Sequence, residues 1–170
     1  MLKELELRRS CRKYSDRPVE EEKINEIIKA GLISPTGKNN QNVEFIVVTN
    51  KDKREQLTKL NASVINSDKD TFYGAPVIIL VMAKKSAFAE LDGGAAILSL
   101  LVEATHQGLG SCWINRAKEE LEMDSFKELF KDLNINFDEY LGIGHAIIGY
   151  SDEEEKAPKE IKENRVYYVK

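Results

Sequence analysis

Two cysteines, Cys11 and Cys112, are the only thiols in 170 residues, and they lie far apart. That is neither a disulfide framework nor a zinc or iron–sulfur spacing, so no metal is expected. Histidine is equally scarce. His106 follows an apolar stretch and His145 opens a strand-like one, and neither has a serine or cysteine at nucleophilic-motif spacing, so both read as structural. Long apolar runs are missing: nothing approaches the ~18 residues of a membrane span. The opening MLKELELRR lacks the apolar centre and cleavage site of a secretory signal. The expected location is therefore cytoplasmic, with no membrane partner. Positive charge is also in deficit, 25 Lys and Arg against 29 Asp and Glu for a net charge of -4, which argues against a nucleic-acid partner. Repeats and convincing linkers are absent, and the length fits one domain over residues 1–170.

What the chain does contain is a succession of short, well-patterned elements. Ile24, Ile27, Ile28, Gly31 and Leu32 recur at helical spacing behind Pro18 and three glutamates, predicting a helix with one apolar face. The polar loop ISPTGKNNQN and the β-branched strand VEFIVVT follow, then an amphipathic helix over residues 51 to 60. APVIILVMA, residues 75 to 83, has no alternation and reads as a strand buried on both faces. DGGAAILSLLVEATH, residues 92 to 106, is apolar nearly all round and predicts a helix buried on every side. After the glycines at 108 and 110 come the extended SCWI, a helix marked by Phe126, Leu129, Phe130 and Leu133, and the strands HAIIGY and RVYYV. An irregular, solvated connection, SDEEEKAPKEIKEN, precedes the last of these. Helices and strands without a βαβ rhythm give an α+β class.

Three stretches could carry chemistry. LRRSCRKYS packs Arg8, Arg9, Arg12 and Lys13 into nine positions of an acidic chain. Basic residues ending a short helix complement its dipole, and guanidinium forks with the Ser10 hydroxyl also suit a phosphate. In SPTGKNNQ, an ordinary surface turn competes with a loop whose amides, Thr36 and Gln41 meet the edge of a flat heterocycle, with Gly37 allowing close approach. GLGSCWI reads as a helix cap before a strand, with Trp113 in the core and Cys112 either a small buried hydrophobe or a thiol beside a cofactor. Carboxylates sit among lysines on helix faces and read as solvated surface, and no acid/base pair stands out. Such a chain either does no chemistry or borrows a cofactor to do it.

In order, RRSCRKYS, SPTGKNNQNVEFIVV, FYGAPVIILV, DGGAAILSLLVEATHQGLGSCWI and IIGY with its lysine-bearing tail resemble the motifs of the nitroreductase family of FMN-dependent flavoproteins, over residues 4 to 170. The resemblance implies a nitroreductase-like fold, with a mainly antiparallel central sheet flanked by helices and a C-terminal strand joining the partner subunit's sheet. It implies FMN held by Arg8, Arg9, Ser10 and Arg12 at the phosphate and ribityl chain. Pro35, Thr36, Lys38, Asn39 and Gln41 would lie along the isoalloxazine, Trp113, Ile114 and Asn115 near its N5, and Lys162 and Arg165 would close from the tail. It further implies a homodimer with FMN at the subunit interface, NADH or NADPH as donor, and ping-pong reduction of a small-molecule acceptor such as a nitroaromatic, quinone or enone. A flavin store or sensor without turnover, and a flavin-fragmenting or dehalogenating enzyme, are the alternatives. Two departures from the family pattern stand out: Asn42 and Val43 replace a Pro-Trp pair, and Gly93 and Gly94 open the central helix where larger residues are frequent.

Overall fold

The computed structural model describes residues 1–154, 157 and 159–170. Its centre is a four-stranded antiparallel sheet in the order β1-β2-β4-β3, with β1 Val43–Val48, β2 Val77–Lys84, β3 Gly110–Ile114 and β4 Tyr140–Gly149. Strand β2 lies between two partners, and its period of two feeds both faces. Ile78, Leu80 and Met82 join one apolar cluster, while Val77, Ile79, Val81 and Ala83 join another. The first cluster is closed by α3 (Lys51–Ser63), α5 (Ala117–Leu121) and α6 (Asp124–Leu129) through Leu57, Leu121 and Phe126. The second is closed by α2 (Glu21–Leu32) and α4 (Ala89–His106) through Ile27, Ile97 and Leu100. The result is helices, sheet, helices, as an α+β chain with an apolar strand at its middle requires.

Close approach between layers explains two of the glycines. A Cβ on Gly31 would lie 2.8 Å from Leu100 Cδ2 and from Phe45, so α2 reaches α4 and the sheet only without one. A Cβ on Gly93 would meet Ile143 Cγ1 at 2.4 Å, so the departure from the family pattern there is a packing requirement between α4 and β4.

Several sequence expectations need correction. The helix marked by Phe126 to Leu133 stops at Leu129 and continues only as a short 3-10 turn, Lys131–Leu133. Strand β4 begins at Tyr140, five residues (145 − 140 = 5) before HAIIGY. Helix α4 is not buried on every side: Leu91 and Leu98, seven apart (98 − 91 = 7) and so on one face, are 72% and 48% exposed. RVYYV forms no strand with the described residues of its own chain, and Tyr167, Tyr168 and Val169 are exposed. The irregular connection expected at 151 to 164 falls partly on residues 155, 156 and 158, which lie outside the described residues.

The amino-terminal segment is added to the sheet last in space though first in sequence. After the five-residue α1 (Lys3–Leu7), Ser10 forms a parallel bridge with Ser111, the Cys11 N–H donates to the Ser111 carbonyl at 2.9 Å, and Tyr14 bridges Ser151. Residues 10 and 11 thereby meet the outer edge of β3, and residues 13 to 15 turn to pair with the chain after β4.

Candidate functional site

The bridge between Ser10 and Ser111 sets where the basic cluster goes. The pairing ends there, since the Arg12 N–H turns to Glu153 and Tyr14 bridges Ser151, and Arg12 comes to the same cleft as Trp113. Both line a cleft of about 630 Å³ with Ile114, Asn115, Arg116, Lys69 and Asp70. This volume falls within the roughly 300–1,000 Å³ of small-molecule and cofactor sites. Strand alternation sends Cys112 and Ile114 into the core and leaves Trp113 42% exposed, so the core reading of Trp113 is wrong and the small-hydrophobe reading of Cys112 is right.

Arg12, Lys69 and Arg116 bring three cations to this cleft, and the carboxylate beside them is already engaged. Asp70 accepts from the Phe72 N–H at 2.8 Å and the Gly74 N–H at 2.6 Å, which turns it back into its own loop. Lys69 and Arg116 are cleft residues that sequence reasoning missed. Lys69 lies in a polar stretch with no periodic signal, and Arg116 could have been found only as the residue after the Trp113–Asn115 segment. A larger cleft of about 1,020 Å³ adjoins this one through Ser67, Lys69 and Asp70, but otherwise draws on α3, on Ser15 and Asp16 and on the start of β2 with the residues before it, and holds none of the expected site residues.

The basic cluster is divided. Arg9 Nη1 donates to the carbonyls of Glu6 and Arg8, both at 2.8 Å, which is the helix-cap reading realised. Arg8 and Arg9 line a separate cleft of about 510 Å³ that also contains Glu153 and Glu154. Arg12 faces the Trp113 side, and its own N–H donates to Glu153 Oε1 at 3.0 Å.

The loop at 34 to 41 lines none of these clefts. It is exposed at Pro35, Lys38, Asn39 and Gln41, and it is conformationally tight: Lys38, Asn39 and Gln41 have φ of 56, 54 and 47°. Non-glycine residues in the left-handed region need outside support. Here the Gln41 N–H donates to Thr36 Oγ1 at 3.0 Å, and the Gly37 N–H donates to Asp92 Oδ1 at 2.8 Å, on the first turn of α4. One turn of α4 thus touches three parts of the molecule: Asp92 holds the loop, Gly93 packs on β4, and Gly94 faces Trp113, whose Cη2 would lie 3.8 Å from an added Cβ. Lys162 and Arg165 stand on the exposed tail and line none of these clefts; the Arg165 Nε donates to the Lys162 carbonyl at 3.1 Å.

Behind the cleft lies a polar group that surface reasoning could not see. Glu120, on α5, is fully buried, contrary to the solvated reading of helix carboxylates, and so are Asn61 and His145. His106 is the reverse case: it is exposed at the end of α4 and pairs with Glu4 at 3.0 Å instead of sitting in the core. That contact raises the His106 pKa and lowers that of Glu4, in each case chiefly through the shared hydrogen bond. Burial pushes the Tyr14 hydroxyl far above its usual range. No group of His, Cys, Asp and Glu suited to a metal occurs among the described residues, and no helix is long and apolar enough to cross a membrane.

Comparison with known proteins gives a consistent answer. The sequence model of the Nitroreductase family matches residues 5–150. A protein of Archaeoglobus fulgidus, provisionally named NADH dehydrogenase/NAD(P)H nitroreductase, is 30% identical over 166 residues, covering 95% of this chain and 87% of the relative. An FMN-dependent nitroreductase from Clostridium difficile R20291 superposes with a TM-score of 0.82 at 32% identity, covering 99% of this chain and 98% of the other. The fold alone is matched at a TM-score of 0.90 by an FMN-bound nitroreductase of Bacteroides fragilis, 24% identical, with 99% and 98% of the two chains covered.

Proposed function

This chain belongs to the nitroreductase family, and from that premise we propose that it is an FMN-dependent NAD(P)H oxidoreductase. The observation that carries the reading is a cleft lined by Arg12 and an exposed Trp113 together with two further cations, Lys69 and Arg116. Such a donor set suits FMN: the cations answer a phosphate dianion and an electron-rich ring system, and the indole offers an apolar face. When bound, FMN would supply hydride chemistry between NADH or NADPH and a nitroaromatic, quinone or enone acceptor, in a ping-pong cycle.

The protein's part is to bind, orient and stabilise charge. Arg12 and Lys69 place positive charge where anionic groups of the cofactor lie, and Trp113 to Asn115 form one wall. Arg8 and Ser10 lie on the same amino-terminal segment. No side-chain acid or base is required, which agrees with a cleft whose nearby carboxylate is tied to its own loop.

The working unit in this reading is a homodimer built from one FMN-binding domain per chain, residues 1–170, in the cytoplasm. Pro35, Thr36, Lys38, Asn39 and Gln41 line none of the clefts described above, and the loop stands exposed beside the first turn of α4, which suits them to meet FMN from the partner copy. Leu91 and Leu98 offer an apolar stripe to that partner, and the tail strand RVYYV with Lys162 and Arg165 docks on it.

The test is spectroscopic. The purified protein should be yellow, and anaerobic NADH or NADPH should bleach it within seconds, with colour returning on adding a quinone. A colourless protein that ignores added FMN refutes the reading. A yellow protein that neither donor bleaches is the store or sensor instead.

A further inference from the structure

The buried group behind the cleft has a specific geometry. Asn61 has two amide hydrogens and two carbonyl lone pairs, and all four are used. Its Nδ2 donates to the Asn115 carbonyl at 3.0 Å and to Glu120 Oε1 in a short contact. Its Oδ1 accepts from Arg116 Nε at 3.0 Å and from Arg116 Nη2 at 2.8 Å. A flipped amide would set its oxygen against a carbonyl and a carboxylate, so the network fixes the orientation. Glu120 is held in turn: its Oε2 lies 2.9 Å from His145 Nε2, off the line of a good hydrogen bond, and the His145 ring meets the Phe72 edge at 5.0 Å. One side chain of α3 therefore grips two consecutive residues of the cleft wall, the first by its backbone carbonyl and the second by its guanidinium. The gripped residue Arg116 has φ +82°, a left-handed conformation in which a non-glycine residue needs support.

We infer that Asn61, oriented by Glu120 and His145, is a positioning residue for the cofactor site. It locks the peptide between Asn115 and Arg116 and so sets both the affinity for FMN and the flavin midpoint potential. This rests on the FMN reading above. Fixed hydrogen-bonding groups beside a flavin are a protein's main lever on its electronics, and a wall free to turn would lose that lever.

Asn61→Asp sets a carboxylate against the Asn115 carbonyl and Glu120 and should lower stability and flavin binding together. Asn61→Asp with Glu120→Gln separates the two effects. The new amide on α5 donates to the new carboxylate on α3 and restores the buried contact, while the Asn115 carbonyl stays without a donor. The expected result is a melting temperature near that of the native protein, an FMN Kd still raised about tenfold, and a displaced midpoint potential. Arg116→Gly releases the wall from the other side at a φ that suits glycine, and should show the same displacements with a modest loss of melting temperature, since it leaves the buried Asn61 Oδ1 without its donors. It decides the matter if the double variant does not fold. The inference is overturned if the double variant recovers native Kd and potential along with stability, or if Arg116→Gly binds FMN as the native protein does. It is also overturned if Arg116→Gly weakens binding at unchanged potential, for then Arg116 is only a cation for the phosphate. Native protein that binds no FMN sinks the cofactor reading itself, whereas native binding with indifferent variants sinks only the positioning role.

Discussion

Replacing Asp92 with alanine tests whether the 34 to 41 loop is held in its tight conformation from outside. Three left-handed non-glycine residues, Lys38, Asn39 and Gln41, cost about 1 kcal/mol each, so the loop stores ~3 kcal/mol against relaxed alternatives. The carboxylate bond from Gly37 to Asp92 opposes this with about 1.5–3 kcal/mol. Part of that is returned when the carboxyl is removed, since Asp92 Oδ2 is buried without a hydrogen-bond partner among the described residues. A net loss of about 1.4 kcal/mol raises the open population about tenfold. Lys38 is exposed in the middle of the loop, so trypsin reports that population directly, and cleavage after Lys38 should quicken about tenfold while opening remains faster than cutting. Asp92→Asn keeps the accepting oxygen and should cleave within about twofold of native. A native cleavage rate in Asp92→Ala would refute the anchoring role. Equal acceleration at every lysine would show that the whole fold, not the loop, had loosened.

Four further outcomes follow from the same geometry. Gly93→Ala should destabilise by about 1–3 kcal/mol because its Cβ meets Ile143 at 2.4 Å, whereas Gly94→Ala, with its nearest atom at 3.8 Å, should be neutral or stabilising by up to ~1 kcal/mol; paired melting curves compare them. Arg12→Ala should weaken FMN binding by about 1.5–3 kcal/mol, measured by flavin fluorescence, with little change in melting temperature; early melting with native affinity would make Arg12 a structural residue. Deleting residues 165 to 170 should lower dimer content and flavin retention together on a sizing column with absorbance detection, and a truncated dimer that stays yellow would exclude the tail. The Glu4 to His106 contact gives α1 a pH window. The raised His106 pKa makes its contribution full below the ordinary 6.5 and lost as pH rises through the raised value, while the lowered Glu4 pKa makes its contribution full above the ordinary 4.5 and lost as pH falls through the lowered one. Amide exchange in α1 should therefore be slowest relative to the rest of the chain between pH 4.5 and 6.5, and a flat relative profile would show that the pair contributes nothing.

Elements whose burial is local were legible in the sequence. The periodic apolar residues of α2, the unbroken apolar run of β2 and the small-residue opening of α4 each state their environment within a dozen residues. What failed depended on distant contacts. Residues 140 to 144, YLGIG, are interrupted by two glycines, and they become strand because β2 stands opposite them. Trp113 faces outward because alternation along β3 sends Cys112 and Ile114 inward, and that phase is set by the partner strand. The site divides the same way. Arg12 and Trp113 were both singled out, but they share a cleft across about a hundred residues of sequence, which no local pattern records. Asn61, Glu120 and His145 come from a helix face, another helix face and a strand, and each alone looks ordinary.

The stitching of the amino-terminal segment to β3 and to the residues after β4 also has a consequence in time. Cys11 bonds to Ser111, Ser15 to the Tyr150 carbonyl and Lys13 to the Asp152 N–H, so residues 11 to 15 are docked by partners made about 100 to 140 positions later. At ~5–20 residues per second, a ribosome needs roughly 5–30 s to reach those partners. Strand β2 waits about half as long for β4, its longer neighbour in the sheet. The nascent chain therefore carries its basic segment undocked, and the buried strand β2 without one of its two partners, until those later residues emerge. Any capacity to hold a flavin waits for them too.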